Sequence, residues 1–506
     1  MIMRSKEKNI LSNKITLINM ILSLVLQIVT ILSGFVIPKL ILSYFGSNVN
    51  GLVSSITQFL SYITLLEGGV SGVISANLYK PLVCKDNDKI NSILKTANNF
   101  YRKIGLIFIV YAIVLASIYP ILFDTSFSYM YVFTLTVILA LSLFIQYMFS
   151  LTLKTLLNAD KKVYVVSGVQ IIIVVLNIIL AIVSVMIFPS IHILKLITGL
   201  LYILQPIIYG LYVKKNYNYN NNVEANKQLI KERWNGFAIN IAYFIHSSTD
   251  ITILTIFTNL SIVSVYSVYA LVTSGLKQVI NSITVGINPS LGQAYATGNI
   301  EELNEKMDIY EYIVFLLVFL LFTIGGLLIT PFVMIYTLNI TDANYYQPLF
   351  GVVLLISEAI YLLKFPHLNL AYSANKFKEI TKPAFVEAIL NIVISIILVS
   401  KFGLIGVAIG TTIAMIYRLI FHIRFTKKII ENRSQWIFYY KLLLFSITTI
   451  IGILICVFVI SPVEIAIVSW IIHAIIYTII MGILYLILSI MFFKKELKFF
   501  IKYLKH

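Results

Sequence analysis

The chain has 506 residues, 59% of them hydrophobic and only 12% charged, with a mean hydropathy of +0.94 and a formal net charge of +17. Soluble domains carry about 25% charged residues, and repeated apolar runs of roughly 18 or more residues mark a polytopic membrane protein. The basic residues sit in short loops between those runs, so the net charge reports topology and not a nucleic-acid partner.

Taken in order, the N-terminus carries Arg4, Lys6, Lys8 and Lys14 before a long apolar run. That run lacks a small-residue cleavage site and reads as an uncleaved first span. At about 1.5 Å per residue and ~20 residues per crossing, fourteen spans are expected. They lie at approximately 15–38, 50–78, 104–122, 129–153, 164–188, 193–213, 236–258, 262–288, 309–332, 346–372, 384–400, 403–424, 438–460 and 465–491. Of the 38 Lys and Arg, about 32 fall in the termini and in the loops after even-numbered spans, which places both termini in the cytoplasm.

The connections are short. Within the cytoplasmic loop 80–103, Ile90, Ile93, Leu94 and Ala97 recur at helical spacing, as expected of an amphipathic helix lying on the inner leaflet. An Asn-rich run, KKNYNYNNNVEANK (214–227), marks the linker between two halves. Cys84 and Cys456 form no plausible pair.

LNADKKVYVVSGVQIIIVVLNIILAIV (157–183) is similar to YSANKFKEITKPAFVEAILNIVISIIL (372–398). Ala159 matches Ala374, Lys161 matches Lys376 and, with one gap, Asn177 matches Asn391. Two homologous six-span halves follow. The expected fold is all-α, with two pseudo-symmetric six-helix lobes (1–213 and 236–424), a cytoplasmic linker (214–235), and helices 13 and 14 with a basic tail (425–506). Prolines and glycines within spans, such as Pro38, Gly68–Gly69, Gly286–Pro289, Gly325–Gly326 and Pro366, serve either close helix packing or hinges.

Seven ionisable residues inside spans are singled out: Glu67, Asp250, Lys277, Glu358, Lys364, Glu387 and Arg418. Each costs roughly 2.5–3.5 kcal/mol at a helix centre, so lipid exposure is disfavoured. Glu387 and Arg418, near the inner ends, are expected to snorkel. Glu67, Lys277, Glu358 and Lys364 lie deeper and either pair with one another or line a polar cavity. Asp250, Asn391 and Thr411 share one depth, ~12 Å below the outer surface when counted from the helix ends. Ser395 lies one turn from Asn391 on the same face. One carboxylate with amide and hydroxyl oxygens suits Na⁺ or a titrating proton; the alternative is that Asn391 and Thr411 merely bridge helices. His246, one turn before Asp250, is read as an ordinary imidazole beside it.

Enzymatic motifs are missing. Asp86-Asn87-Asp88 reads as a solvated turn, no phosphate-binding glycine loop occurs, and the histidines lack metal-ligand spacing. A polymerase, ligase or glycosyltransferase needs a large extracytoplasmic loop or catalytic domain, so no catalytic residue and no structural metal are assigned.

The segment 44–82 contains Tyr44-Phe45-Gly46, Asn50-Gly51-Leu52 and Glu67-Gly68-Gly69. With SSTDITILTIF (247–257) and the Ala-Asn-Lys to Gly-Thr run through 374–411, it resembles the bacterial polysaccharide flippases. These are the O-antigen, capsular and lipopolysaccharide repeat-unit transporters of the multidrug/oligosaccharidyl-lipid/polysaccharide exporter superfamily. The resemblance implies a bacterial cytoplasmic membrane protein working by alternating access on an undecaprenyl-pyrophosphate-linked oligosaccharide. Polysaccharide polymerase and glycosyltransferases would be its partners alongside membrane lipids. Its diphosphate would meet Lys277, Lys364, Arg418 and Arg102; Glu67 and Glu358 would be acidic gating groups; Gln58, Tyr62, Gln170, Tyr266, Tyr269 and Gln278 would offer sugar contacts. Asp250, Asn391, Ser395 and Thr411 would couple transport to Na⁺ or H⁺. A cation-coupled multidrug exporter of the same superfamily is the alternative.

Overall fold

A computed structural model describes residues 2–123, 126–220, 223–226, 234–284, 287–431 and 433–504. Gly286 and part of the 214–235 linker lie outside the described residues, as does the side chain of His246. The described residues are helical, with no strand among them. They form two compact units, Met1–Ile241 and Ala242–His506.

The first unit begins with α1 (Ile2–Ser61), bent at Gly46, whose φ of 82° is open to glycine and strained for other residues. A 3₁₀ turn (Tyr62–Leu66) leads through Gly68–Gly69 into α2 (Val70–Cys84). Helix α3 (Asn87–Leu122) follows, then α4 (Tyr129–Ile145), which passes through a π-helical turn (Gln146–Ser150) into α5 (Leu151–Ala159). Helices α6 (Val163–Ile187), α7 (Ile191–Leu201) and α8 (Leu204–Asn216) complete it. Here α1 packs on α6, α3 on α4, and α4 on α7.

The loop 80–103 departs from expectation. The Asp86 side chain caps α3 by accepting from Lys89 N–H at 3.1 Å, a bond that holds the Asp86 carboxyl below its usual range. No proline or glycine interrupts the next 15 or so residues, so α3 runs straight into its membrane crossing. Ile90, Ile93, Leu94 and Ala97 are buried in the protein and do not lie on the leaflet.

The second unit contains α9 (Trp234–Phe257) from Ala242 onward, α10 (Leu260–Thr284), α11 (Asn288–Ala296) and α12 (Ile300–Tyr336). After these come α13 (Pro348–Leu363), α14 (Phe365–Ser373), α15 (Phe377–Thr426), α16 (Trp436–Val459), α17 (Ile467–Phe492) and α18 (Lys494–Leu504). Helix α12 is its hub, touching α10, α11, α13, α14, α16, α17 and α18. Trp470 Nε1 donates to the Leu328 carbonyl at 3.1 Å, and the Tyr312 hydroxyl to Ser489 Oγ at 2.7 Å, fixing α17 against α12.

Among the described residues, eleven helical segments are long and apolar enough to cross a membrane. Two of them, 52 and 50 residues long, are long enough for two crossings each and are bent at Gly46 and at Gly403, the latter with φ 53°. Counting each as two and adding α9 yields the fourteen crossings expected. Their outward faces carry exposed apolar side chains, among them Val110, Val457 and Phe458.

Candidate functional site

Asp250 lies in the last third of α9, whose apolar C-terminal half packs its carboxylate into the second unit, 7% exposed. Gly403 turns α15 back on itself, so that residues 391–395 and 407–411 face one another. That approach is close: a Cβ on Gly410 would collide with Ser395 Oγ. The bent α15 thereby brings Asn391, Ser395 and Thr411 together. Thr411 Oγ1 donates to Asp250 Oδ1 at 3.0 Å, and the Tyr266 hydroxyl of α10 donates to Oδ2 at 2.9 Å. Asn391 Nδ2 donates to Thr411 Oγ1 at 3.2 Å, while Ser395 Oγ donates to Asn391 Oδ1 at 3.4 Å.

Among the described residues no Lys, Arg or His ion-pairs with Asp250. A buried carboxylate without a cation partner is costly unless protonated or balanced by a bound ion. Two hydroxyls meet the carboxylate, with the Asn391 amide and the Ser395 hydroxyl linked behind Thr411; such oxygen groups suit a hard monovalent cation or a proton acceptor.

A second group continues from there. Lys277 Nζ on α10 lies 2.6 Å from Glu358 Oε1 on α13. The ring of Tyr361 sits beneath two ammonium groups, 5.8 Å from Lys277 Nζ and 4.1 Å from Lys364 Nζ. Lys364 Nζ is 4.0 Å from Glu387 Oε2, which Arg418 Nη1 approaches to 3.1 Å, and Arg418 Nε donates to His422 Nε2 at 2.8 Å. Three cations and two carboxylates thus form one chain with Tyr361 as its middle link. Glu387 and Arg418 do not snorkel as expected. Each is only 4% exposed, because α13 and α14 cover this face of α15 and leave the charges to pair with one another.

Arg102 is not in this chain. It belongs to the first unit, exposed at the wall of a separate cavity. Glu67 sits at the break between the 3₁₀ turn and α2. Ser71 Oγ donates to its Oε1 and the Tyr147 hydroxyl to its Oε2 at 3.5 Å, while Ser71 Oγ and Tyr101 OH lie 2.9 Å apart. Of the expected sugar contacts, Tyr266 serves Asp250, Gln170 accepts from Gln205 at 2.7 Å, and Tyr269 OH donates to the Tyr345 carbonyl at 3.0 Å.

The first unit repeats part of the pattern without charge. Asn177 Oδ1 accepts from Thr198 Oγ1 at 2.7 Å, an Asn–Thr pair set 21 residues apart where Asn391 and Thr411 are set 20 apart. No carboxylate joins it among the described contacts.

One buried cluster escapes the sequence reading. Glu311 on α12 is 1% exposed and takes Arg433 Nη2 on Oε1 and Lys441 Nζ on Oε2, both at 2.8 Å. Asp308 Oδ1 receives the same two cations at 2.8 and 3.0 Å. Burial works to lower the Arg433 guanidinium, but Glu311 and Asp308 outweigh it and hold it above its usual value. Glu311 and Lys441 lie at span ends, where charges ordinarily reach solvent; their matching depth was the one available signal. The cluster fastens α16 to α12.

Together these features define a multi-pass membrane protein with buried ion pairs and, at Asp250, a buried carboxylate that makes no ion pair among the described residues. No protein-family model and no curated protein sequence matches the chain. Solved structures do. The lipid II flippase MurJ in an inward closed conformation aligns with a TM-score of 0.70 at 15% identity, over 94% of this chain and 99% of that one. An inward-facing MATE family multidrug resistance transporter of the MOP superfamily aligns at 0.61 and 14%, over 82% and 100%. The MATE multidrug transporter DinF-BH, solved as a complex, aligns at 0.58 and 17%, over 84% and 96%. The chain shares its fold with these transporters; at such identities the likeness is one of architecture.

Proposed function

We propose that this chain is a flippase that carries an undecaprenyl-pyrophosphate-linked oligosaccharide repeat unit from the cytoplasmic to the outer leaflet by alternating access, driven by Na⁺ or H⁺ at Asp250. The observation that carries this reading is the intramembrane charge chain Glu358–Lys277–Tyr361–Lys364–Glu387–Arg418. A diphosphate cannot enter hydrocarbon unpaired. A cation already held by a carboxylate is available to it by exchange, with the displaced carboxylate turning to a neighbouring cation. The fold shared with a lipid II flippase supports a lipid-linked cargo. The Asp250 oxygen cluster, hydrogen-bonded to hydroxyls and not ion-paired among the described residues, supports a separate coupling step. The protein's role in cell-surface polysaccharide synthesis would lie between glycosyltransferases that build the unit and a polymerase that extends it.

A cation-coupled small-molecule exporter is the second reading, favoured by the MATE likeness and by the same Asp250 carboxylate. Reconstitution separates the two. Proteoliposomes are loaded with undecaprenyl-diphosphate-linked oligosaccharide, and its arrival in the opposite leaflet is read with an impermeant glycosidase under an imposed Na⁺ or pH gradient. Gradient-dependent arrival is expected. Efflux of a fluorescent organic cation with no lipid arrival would reverse the assignment.

A further inference from the structure

A cavity of about 500 Å³ opens in the first unit between α3, the π-helical turn, α5 and α8. Its walls carry two cations, Arg102 and Lys214, together with Asn98, Thr152, Tyr217 and Tyr219. Neither cation has an ion-pair partner among the described residues. The pocket is built by several independent features. The widened π turn after α4 places Met148 and Phe149 at its wall, a device that recurs at functional sites. The segment after α8 is held over α3 by several side chains: Asn91 Nδ2 donates to the Asn218 carbonyl at 2.9 Å, Asn91 Oδ1 accepts from Asn220 N–H at 3.2 Å, and Ser92 Oγ donates to the Glu224 carbonyl at 2.7 Å. Tyr217 is anchored in turn, its hydroxyl donating to Asp160 Oδ2 at 2.6 Å. Gly210 leaves the space open, because a Cβ there would meet nothing within 4 Å.

Arg102 stands near the edge of the hydrocarbon. About 20 residues of α3 follow it, enough at ~1.5 Å each to cross the bilayer core. Above it on the same helix face, Leu106, Val110 and Ile113 are exposed at spacings of three and four residues, a greasy stripe leading away from the pocket. Two cations, polar hydroxyls and an amide fit a phosphate and its ester oxygens; the stripe fits an acyl or prenyl chain. Basic pockets between transmembrane helices on the basic-loop side of a membrane are a recurrent lipid-headgroup site.

We infer that this cavity binds the phosphate headgroup of an anionic membrane lipid, with its chain laid along α3. The site stands whether or not the protein transports lipid-linked sugar. In the test, the full-length protein in detergent is titrated with phosphatidylglycerol and retained lipid is counted by native mass spectrometry. Wild type is expected to retain one strongly bound molecule. Arg102→Gln with Lys214→Gln should weaken retention at least tenfold, and Gly210→Leu, which fills the cavity without touching charge and suits a helix, should do the same. Lys80→Gln, an exposed lysine of α2, should change nothing. Phosphatidylcholine retained as well as phosphatidylglycerol, or a double variant within twofold of wild type, would overturn the site. Inorganic diphosphate binding as tightly as the lipid would overturn the lipid as its source. Displacement of phosphatidylglycerol by undecaprenyl diphosphate would support the site with a polyprenyl lipid as occupant.

Discussion

The hydroxyl of Thr411 and the carboxylate of Asp250 meet at 3.0 Å across 161 residues of sequence. Tyr266 closes the other oxygen at 2.9 Å. The contact joins α9 to the second half of α15 at the depth where each helix places its polar residue. Any change in the occupancy of Asp250, by proton or metal, is therefore felt by three helices at once, α9, α10 and α15.

Asp250→Asn keeps the shape but removes the charge, and one of the two donating hydroxyls must turn to accept from the new amide. Gradient-driven transport in proteoliposomes should fall at least tenfold and lose its dependence on Na⁺ or pH, while gradient-free exchange continues. Undiminished ion dependence in the variant would remove Asp250 from coupling.

Lys277 and Glu358 are 2.6 Å apart, so a single neutralisation confounds cargo binding with an orphaned charge. The swap Lys277→Glu with Glu358→Lys restores the pair. Near wild-type thermal stability with strongly reduced transport is expected if the cation must stand on α10. Equal recovery of both would make the pair purely structural.

Glu387 neutralises two buried cations. Glu387→Gln should destabilise the protein by about 3–5 kcal/mol, the scale for orphaning one side of a buried ion pair. Adding Arg418→Met should recover part of that loss. Thermal unfolding in detergent followed by fluorescence gives the comparison.

Gly410 packs its α-carbon against Ser395. Gly410→Ala forces a Cβ against the Ser395 hydroxyl and to within 2.7 Å of its backbone nitrogen, and should cost about 1–3 kcal/mol as an overpacked contact. Gly168→Ala, where a Cβ meets nothing within 4 Å, serves as the control and should leave the melting temperature unchanged or slightly higher.

The Glu311–Arg433–Lys441 cluster predicts a further effect. Arg433→Ala should loosen α16 from α12 and raise hydrogen exchange along residues 436–459, with little change in the Asp250 region. Unchanged exchange in α16 would show that apolar packing alone holds it.

Residue counting along an apolar helix is a ruler, and it places Asp250, Asn391, Ser395 and Thr411 correctly relative to one another. The same ruler predicts fourteen crossings, and the Phe-Gly steps at 45–46 and 402–403 mark two of their turns. It cannot say which charge faces which. Glu387 and Arg418 read as snorkelling groups because their depth alone permits it; the pairing depends on how α15 is rotated against α13 and α14. Depth likewise conceals Glu311 and Lys441, since a charge at a span end is ordinary until a neighbouring helix covers it. The short loop at 80–103 misleads for a related cause: its apolar spacing fits a membrane-surface helix as well as a buried extension of α3.

What the sequence determined by itself was one-dimensional. Hydrophobic length, loop charge and the spacing of polar residues settle how many times the chain crosses and how deep each polar group lies, because bilayer thickness and helix rise are both constants. Partner choice within the charge chain, the bend that brings Ser395 to Gly410, and the cavity holding Arg102 with Lys214 were decided only by tertiary packing. Helix rotation and close approach arise from the summed contacts of many side chains, and no local stretch of sequence encodes that sum.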